Sequence, residues 1–151
     1  IGRGEEVYPL ADLARRYCLI VFPGFSVSTA VAYQEAGRRV KAGLTNPRGI
    51  SKMNTFGERP LYPLLEWGPA ENDFESVVFA RWPELGRFKR QLIRAGAETA
   101  SLTGSGSAVF GLFDSARKLT RVTDSVPRGW QTFRTRTLSR AEYLRAVTGE
   151  E

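Results

Sequence analysis

Residues 97–113, AETASLTGSGSAVFGLF, place a glycine- and serine-rich turn between two apolar runs. Ala97 to Thr103 reads as one strand and Ala108 to Phe113 as the next. The second run is apolar on both faces, so it belongs inside a sheet. The turn itself, Gly104-Ser105-Gly106, has two readings: a phosphate cradle, or a hairpin turn in which Gly supplies positive φ. A Walker A loop needs Lys and Ser/Thr directly after its last Gly, and then a helix. Here Gly106 is followed by Ser107-Ala108 and a strand. A dinucleotide fingerprint also needs a helix next, aimed at the pyrophosphate. What remains is a run of backbone N–H groups with hydroxyls at Thr103, Ser105 and Ser107. Such a nest can bind an anion without a helix, although composition alone favours the turn.

Upstream, Arg16-Tyr17-Cys18-Leu19-Ile20-Val21-Phe22 reads as a buried strand stopped by Pro23-Gly24. Ser28 or Thr29 can cap a helix running to about Arg39. Residues 41–70 are rich in Gly and Pro and read as a loop region, with one short helix around Leu61–Trp67. Asn72 suits an N-cap with Glu75 three residues on, the spacing of a capping box, and Asp73 adds charge at the positive end of the dipole. Pro83 opens a further helix in which Leu85, Phe88, Leu92 and Ile93 share one face. Arg87, Lys89, Arg90 and Arg94 cover the other, and Gly96 ends it. Downstream of the hairpin, Asp114 or Ser115 caps a helix to about Thr123. Trp130 to Thr137 alternates as a strand. Ser139 caps a last helix, with Glu142 at its third position, running to Val147. The simplest packing of this order is an α+β, ferredoxin-like fold: a four-stranded antiparallel sheet covered by helices.

The chain has 151 residues, 42% hydrophobic and 25% charged. That suffices for one domain, 1–151, burying roughly two thirds of its unfolded surface. No run approaches the ~20 apolar residues of a membrane span. The opening IGRGEEVYPL lacks the basic start and apolar core of a signal peptide. With no initiator Met, the chain is expected to be processed or part of a longer one. Cys18 stands alone in an apolar run, which suggests a buried thiol in a reducing cytoplasm. There is no His, which excludes Ser-His and Cys-His catalysis within this chain and argues against a zinc site. Residues 1–75 carry nine basic and nine acidic side chains, against thirteen and seven in residues 76–151. The net charge of +6 therefore sits wholly in the second half. That allows an anionic partner, and equally a solvated face.

Three stretches together resemble a known family. LTGSGSAVFGLF is similar to the third conserved motif of the GHMP kinases, a Gly-rich loop followed by a buried strand. AENDFESVV resembles the "NDLE"-type helix start of one branch, and VFPGFSVSTAVAY its "PG-x-x-x-x-T" segment. The initial GRGE also fits. That branch is the 4-diphosphocytidyl-2-C-methyl-D-erythritol kinases of non-mevalonate isoprenoid biosynthesis. The likeness runs, with gaps, from Gly2 to about Phe113, and corresponds to the C-terminal half of such an enzyme. The family's main ATP loop, and the part carrying its catalytic Asp and Lys, have no counterpart here.

The resemblance therefore implies binding rather than catalysis. No catalytic or metal-binding residue is assigned in this chain; Asp73 is tempting, but its place at a helix start explains it. Thr29 matches the Thr beside the cytidine pocket, and Tyr33 an aromatic that stacks on the cytosine. Ala30 stands where relatives often have Pro, which alters the pocket wall. Arg3 matches a turn near the same pocket. Gly104, Ser105 and Gly106 match the loop that faces the phosphoryl-transfer cleft. ATP and Mg²⁺ are implied as cofactors of the intact enzyme, not of this chain alone, which is expected to be folded and inactive. The implied partners are a cytidine-diphosphate-linked small molecule and the N-terminal half of the same kinase, with no membrane. The competing readings are a homoserine- or mevalonate-type GHMP kinase, a ferredoxin-like nucleic-acid-binding module, and a structural or regulatory relic of the kinase fold. The module lacks support from any RNP-like pattern around Phe110 and Phe113.

Overall fold

A computed structural model of the chain describes residues 12, 14–41 and 72–149. Arg3, the GRGE segment and the Gly/Pro-rich stretch, with its expected short helix at Leu61–Trp67, lie outside the described residues. The described elements run β1 (Tyr17–Phe22), α1 (Thr29–Lys41), α2 (Glu75–Arg81), α3 (Pro83–Arg94), β2 (Thr99–Leu102), β3 (Val109–Phe113), α4 (Ala116–Thr123), β4 (Gln131–Arg136) and α5 (Arg140–Thr148). The four strands form one sheet in the order β2-β3-β1-β4. Every pairing is antiparallel, with Leu19 opposite Gly111 and Arg134, and Ala100 opposite Gly111. This is the ferredoxin-like α+β arrangement that the sequence implies, with three helices described in the connection from β1 to β2.

Alternation along the strands decides where the core lies. Leu19 and Val21 of β1, Val109 and Phe113 of β3, and Ala100 and Leu102 of β2 share one face and are buried. Against that face pack Leu85, Phe88 and Leu92 of α3, Leu119 and Val122 of α4, and Val78 of α2. Gly111 lets α3 approach closely, since a Cβ there would stand 3.3 Å from a methyl of Leu92. Phe88 meets Trp130 edge-on, with ring centroids 5.5 Å apart. Cys18 is buried in β1, and burial pushes its thiol pKa up.

Several local expectations are corrected. Ile93 is 45% exposed: it lies one residue past Leu92, about 100° round the helix from the stripe that meets the sheet. Lys89 is not a solvated cation, because its Nζ sits 2.6 Å from Glu75 Oε2. Ser115 occupies the N-cap of α4 without a side-chain cap bond, while Asp114 pairs with Lys118 one turn on, at 2.7 Å. That contact lowers the Asp114 pKa. At α5 the expected capping box is complete: Glu142 N–H donates to Ser139 Oγ, and Ser139 N–H to Glu142 Oε2. At α2 it is not formed, and the reason lies in the sheet.

Candidate functional site

The turn between β2 and β3 is tight. Thr103 N–H donates to Ala108 O, and Gly106 N–H to Thr103 O, both at 2.9 Å. Gly104 and Gly106 hold φ of +52° and +95°, values that residues with a Cβ rarely adopt. Because Thr103 bonds across to β3, alternation turns both the N–H and the C=O of Leu102 outward, to the free edge of β2. A buried strand end cannot leave such groups unpaired. Glu75 accepts the Leu102 N–H at 3.0 Å and the Ser101 hydroxyl at 2.9 Å. Asn72 Nδ2 donates to Leu102 O at 2.9 Å and to Gly104 O at 2.8 Å.

Both side chains assigned to a capping box are thus spent on the sheet edge and the glycine turn. Asn72 keeps a cap-like role through its other atom, since Oδ1 accepts from Phe74 N–H at 3.0 Å. The helix proper begins at Glu75, and Phe74 takes the N-cap position with no side-chain bond. Asp73 is exposed, and its carbonyl accepts from the Ser76 hydroxyl.

On the other side the turn meets the start of α1. Ser28 marks the beginning of that helix, with Ala32 N–H on its carbonyl at 2.9 Å. This leaves Thr29 free to point away, and its Oγ1 lies 2.9 Å from Ser105 Oγ. Ser107, fully buried, donates its hydroxyl to Phe25 O. The Pro23-Gly24-Phe25 segment, the first turn of α1 and the residues before α2 therefore converge on one glycine turn.

Tyr33 lies one helical turn beyond Thr29 and is 64% exposed. It is not a core residue. Its ring meets Phe74 edge-on, with centroids 4.8 Å apart. Ala30 is exposed on the same first turn of α1. The structure thus brings together Thr29, Tyr33, Gly104, Ser105 and Gly106, and leaves Ala30 at the rim. Sequence reasoning missed Phe74 as the ring beside Tyr33, and Asn72 and Glu75 as holders of the turn. The signal was present in the NDFE stretch, but its meaning depends on the register of β2.

The backbone N–H groups of Gly104 and Ser105, neither of them a buried residue, donate to no atom among the described residues. They form the donor set of this site, with the Thr29 and Ser105 hydroxyls beside them. No three His, Cys, Asp or Glu side chains converge among the described residues, so no metal-dependent step is derived from these residues. A separate cleft of about 230 Å³ lies between α1 and α2, lined by Val31, Glu35, Val78, Arg81 and Trp82 among others. No described helix is long and apolar enough to cross a membrane.

Residues 63–132 match the family described as GHMP kinases C terminal. Its relatives are more particular. The 4-diphosphocytidyl-2-C-methyl-D-erythritol kinase of Solibacter usitatus is 38% identical over 148 residues, covering 95% of this chain and 45% of its own length. The enzyme of the same name from Solidesulfovibrio magneticus is 38% identical over 135 residues, covering 85% of this chain and 45% of its own length. The chain thus spans about half the length of the curated relatives it matches. A crystal structure of 4-(cytidine 5'-diphospho)-2C-methyl-D-erythritol kinase superposes with a TM-score of 0.62 at 24% identity, over 89% of this chain and 47% of that one. A crystal structure of L. major mevalonate kinase in complex with R-mevalonate superposes with a TM-score of 0.57 at 16% identity, over 88% of this chain and 45% of that one. At these identities the likeness concerns the fold.

Proposed function

We propose that this chain is the C-terminal, substrate-binding part of an ATP-dependent kinase that phosphorylates a hydroxyl of 4-diphosphocytidyl-2-C-methyl-D-erythritol in non-mevalonate isoprenoid biosynthesis. The observation that carries the reading is the convergence of Tyr33, Phe74 and Thr29 on the glycine turn. It occurs in a chain 38% identical to kinases of that name.

On this reading each group has a physical task. The exposed Tyr33 ring stacks on the cytosine, a contact of about 1–3 kcal/mol. Phe74 holds that ring from its edge. The Thr29 hydroxyl offers a polar contact at the pocket wall, with Ala30 leaving the wall open, and Arg3 is assigned to the same pocket on resemblance alone. Gly104, Ser105 and Gly106 face the cleft, and free backbone N–H groups there favour negative charge. Phosphoryl transfer depends mainly on positioning and charge stabilisation. An N-terminal half supplies the base and most contacts to ATP and Mg²⁺, and this half supplies the far wall. We place the enzyme in the cytoplasm, where its free, buried thiol stays reduced.

A substrate panel on the complete kinase tests this. ADP release is expected with the cytidyl substrate and not with homoserine or mevalonate. The 151-residue chain alone is expected to turn over no ATP; turnover by it would sink the assignment of chemistry to the other half. The RNA-binding alternative is disfavoured by Phe113, which is fully buried in the core and cannot stack on a base.

A further inference from the structure

The geometry points to Asn72 as a positioning residue that sets the glycine turn relative to the aromatic pair beside it. The inference deepens the kinase reading above and rests on it for its catalytic consequence. Three hydrogen bonds carry it. One carboxamide holds Leu102 O, where β2 ends, at 2.9 Å. It also holds Gly104 O, inside the turn, at 2.8 Å. Its oxygen accepts from Phe74 N–H at 3.0 Å, and the Phe74 ring touches Tyr33. A single planar group therefore ties the strand end, the turn and the backbone of the ring that meets Tyr33.

The chemistry selects Asn over its isosteres. Two carbonyl oxygens face Nδ2, and one N–H faces Oδ1. Only a group with two donors on one atom and an acceptor on the other satisfies all three. An Asp here would set a carboxylate oxygen against two carbonyls and leave both unpaired. A Ser would still accept from Phe74 N–H, since Ser and Asn both cap in this way, but could not reach both carbonyls. Fixing the turn's carbonyls also fixes the direction of the N–H groups that follow them, because each peptide unit is planar. Asn72 touches no reacting atom on this reading. It orients the N–H of Ser105, which shares a peptide plane with Gly104 O, and fixes its distance from the base-stacking ring.

The test uses the complete kinase with Asn72→Asp and Asn72→Ser. Both are expected to lower kcat by tenfold or more while KM for the cytidyl substrate and for ATP stays within threefold. In amide exchange, Thr103 and Gly106 are expected to exchange at least tenfold faster, while Leu19 in the central strand is unchanged. Asn72→Ser retains the helix-start bond, so a kcat loss in a variant with wild-type melting temperature separates positioning from folding. The proposal is overturned if Asn72→Ser keeps kcat within twofold, or if kcat and both KM values worsen together. A wild-type enzyme inactive on the cytidyl substrate would refute the kinase reading instead, and exchange at Thr103 and Gly106 would still decide whether Asn72 holds the turn.

Discussion

Tyr33 is a large ring left mostly open to water on a helix whose neighbour Ala32 is 1% exposed. Solvent exposure at that position brings no folding benefit, and the side contact with Phe74 leaves a ring face free. Tyr33→Ala in the complete kinase is expected to raise KM for the cytidyl substrate by about 5- to 150-fold, the equivalent of one lost base stack. KM for ATP is expected to stay within twofold, and steady-state kinetics with each substrate varied separately checks both. Gly106 makes a different prediction. Its φ is +95°, and an added Cβ would lie 3.2 Å from Leu102 Cδ1. Gly106→Ala combines backbone strain with that contact, and is expected to cost about 1–3 kcal/mol of stability in denaturant unfolding.

At the scale of elements, α5 and α2 carry similar signatures and resolve differently. The Ser139 and Glu142 pair closes a box because both partners lie within one helical turn. Nothing beyond the local sequence was needed to read it. The Glu142 carboxylate accepts the Ser139 backbone N–H, the chief reason its pKa is lowered; the Ser139 hydroxyl, Arg15 and Arg136 lower it further. A depressed folded pKa stabilises the folded state above the ordinary carboxylate range, and that stabilisation is lost as pH falls through the folded value. The protection of α5 amides, measured as exchange relative to the intrinsic rate at each pH, is therefore expected to fall as the solution is acidified below about pH 4. Glu142→Gln should make that response flatter; an unchanged response would assign it to another group. For α2, the Asn72 and Glu75 spacing looked the same, but the outward groups of Leu102 claimed both side chains. That claim depends on which residues of β2 bond to β3, a register fixed only when the sheet assembles. The same limit explains Ile93, whose apolar character is real but whose angle on α3 is set by the sheet below it. Strand and helix order was legible because periodicity is local. The candidate site was legible through Thr29, Tyr33 and the glycine turn, whereas Phe74 gained its role only by proximity in space.

At the scale of the whole molecule, the sheet ends in two unlike edges. β2 is only four residues long, and the outward groups of its last residue are covered by Glu75 and Asn72. β4 is six residues long, and every one of them is exposed. It carries Arg134 and Arg136, and Arg136 lies 3.9 Å from Glu142. Among the described residues no strand pairs with the outer edge of β4, and charges on such an edge discourage pairing with another strand. The double variant Arg134→Val, Arg136→Val is expected to self-associate with rising concentration by light scattering, while the parent at the same concentration does not. Unchanged scattering would show that the arginines do not guard the edge.

The unlike edges also give the sheet a polarity as a building block. One flank is sealed by side chains that the glycine turn depends on, so an added strand there would have to evict Asn72 and Glu75 from their bonds. On the other flank no described strand lies beyond β4, so the outward groups of its alternate residues meet no strand among the described residues. Among the described residues, a peptide grafted to lengthen this sheet is better placed alongside β4, three strands away from the strand end that Asn72 and Glu75 cover.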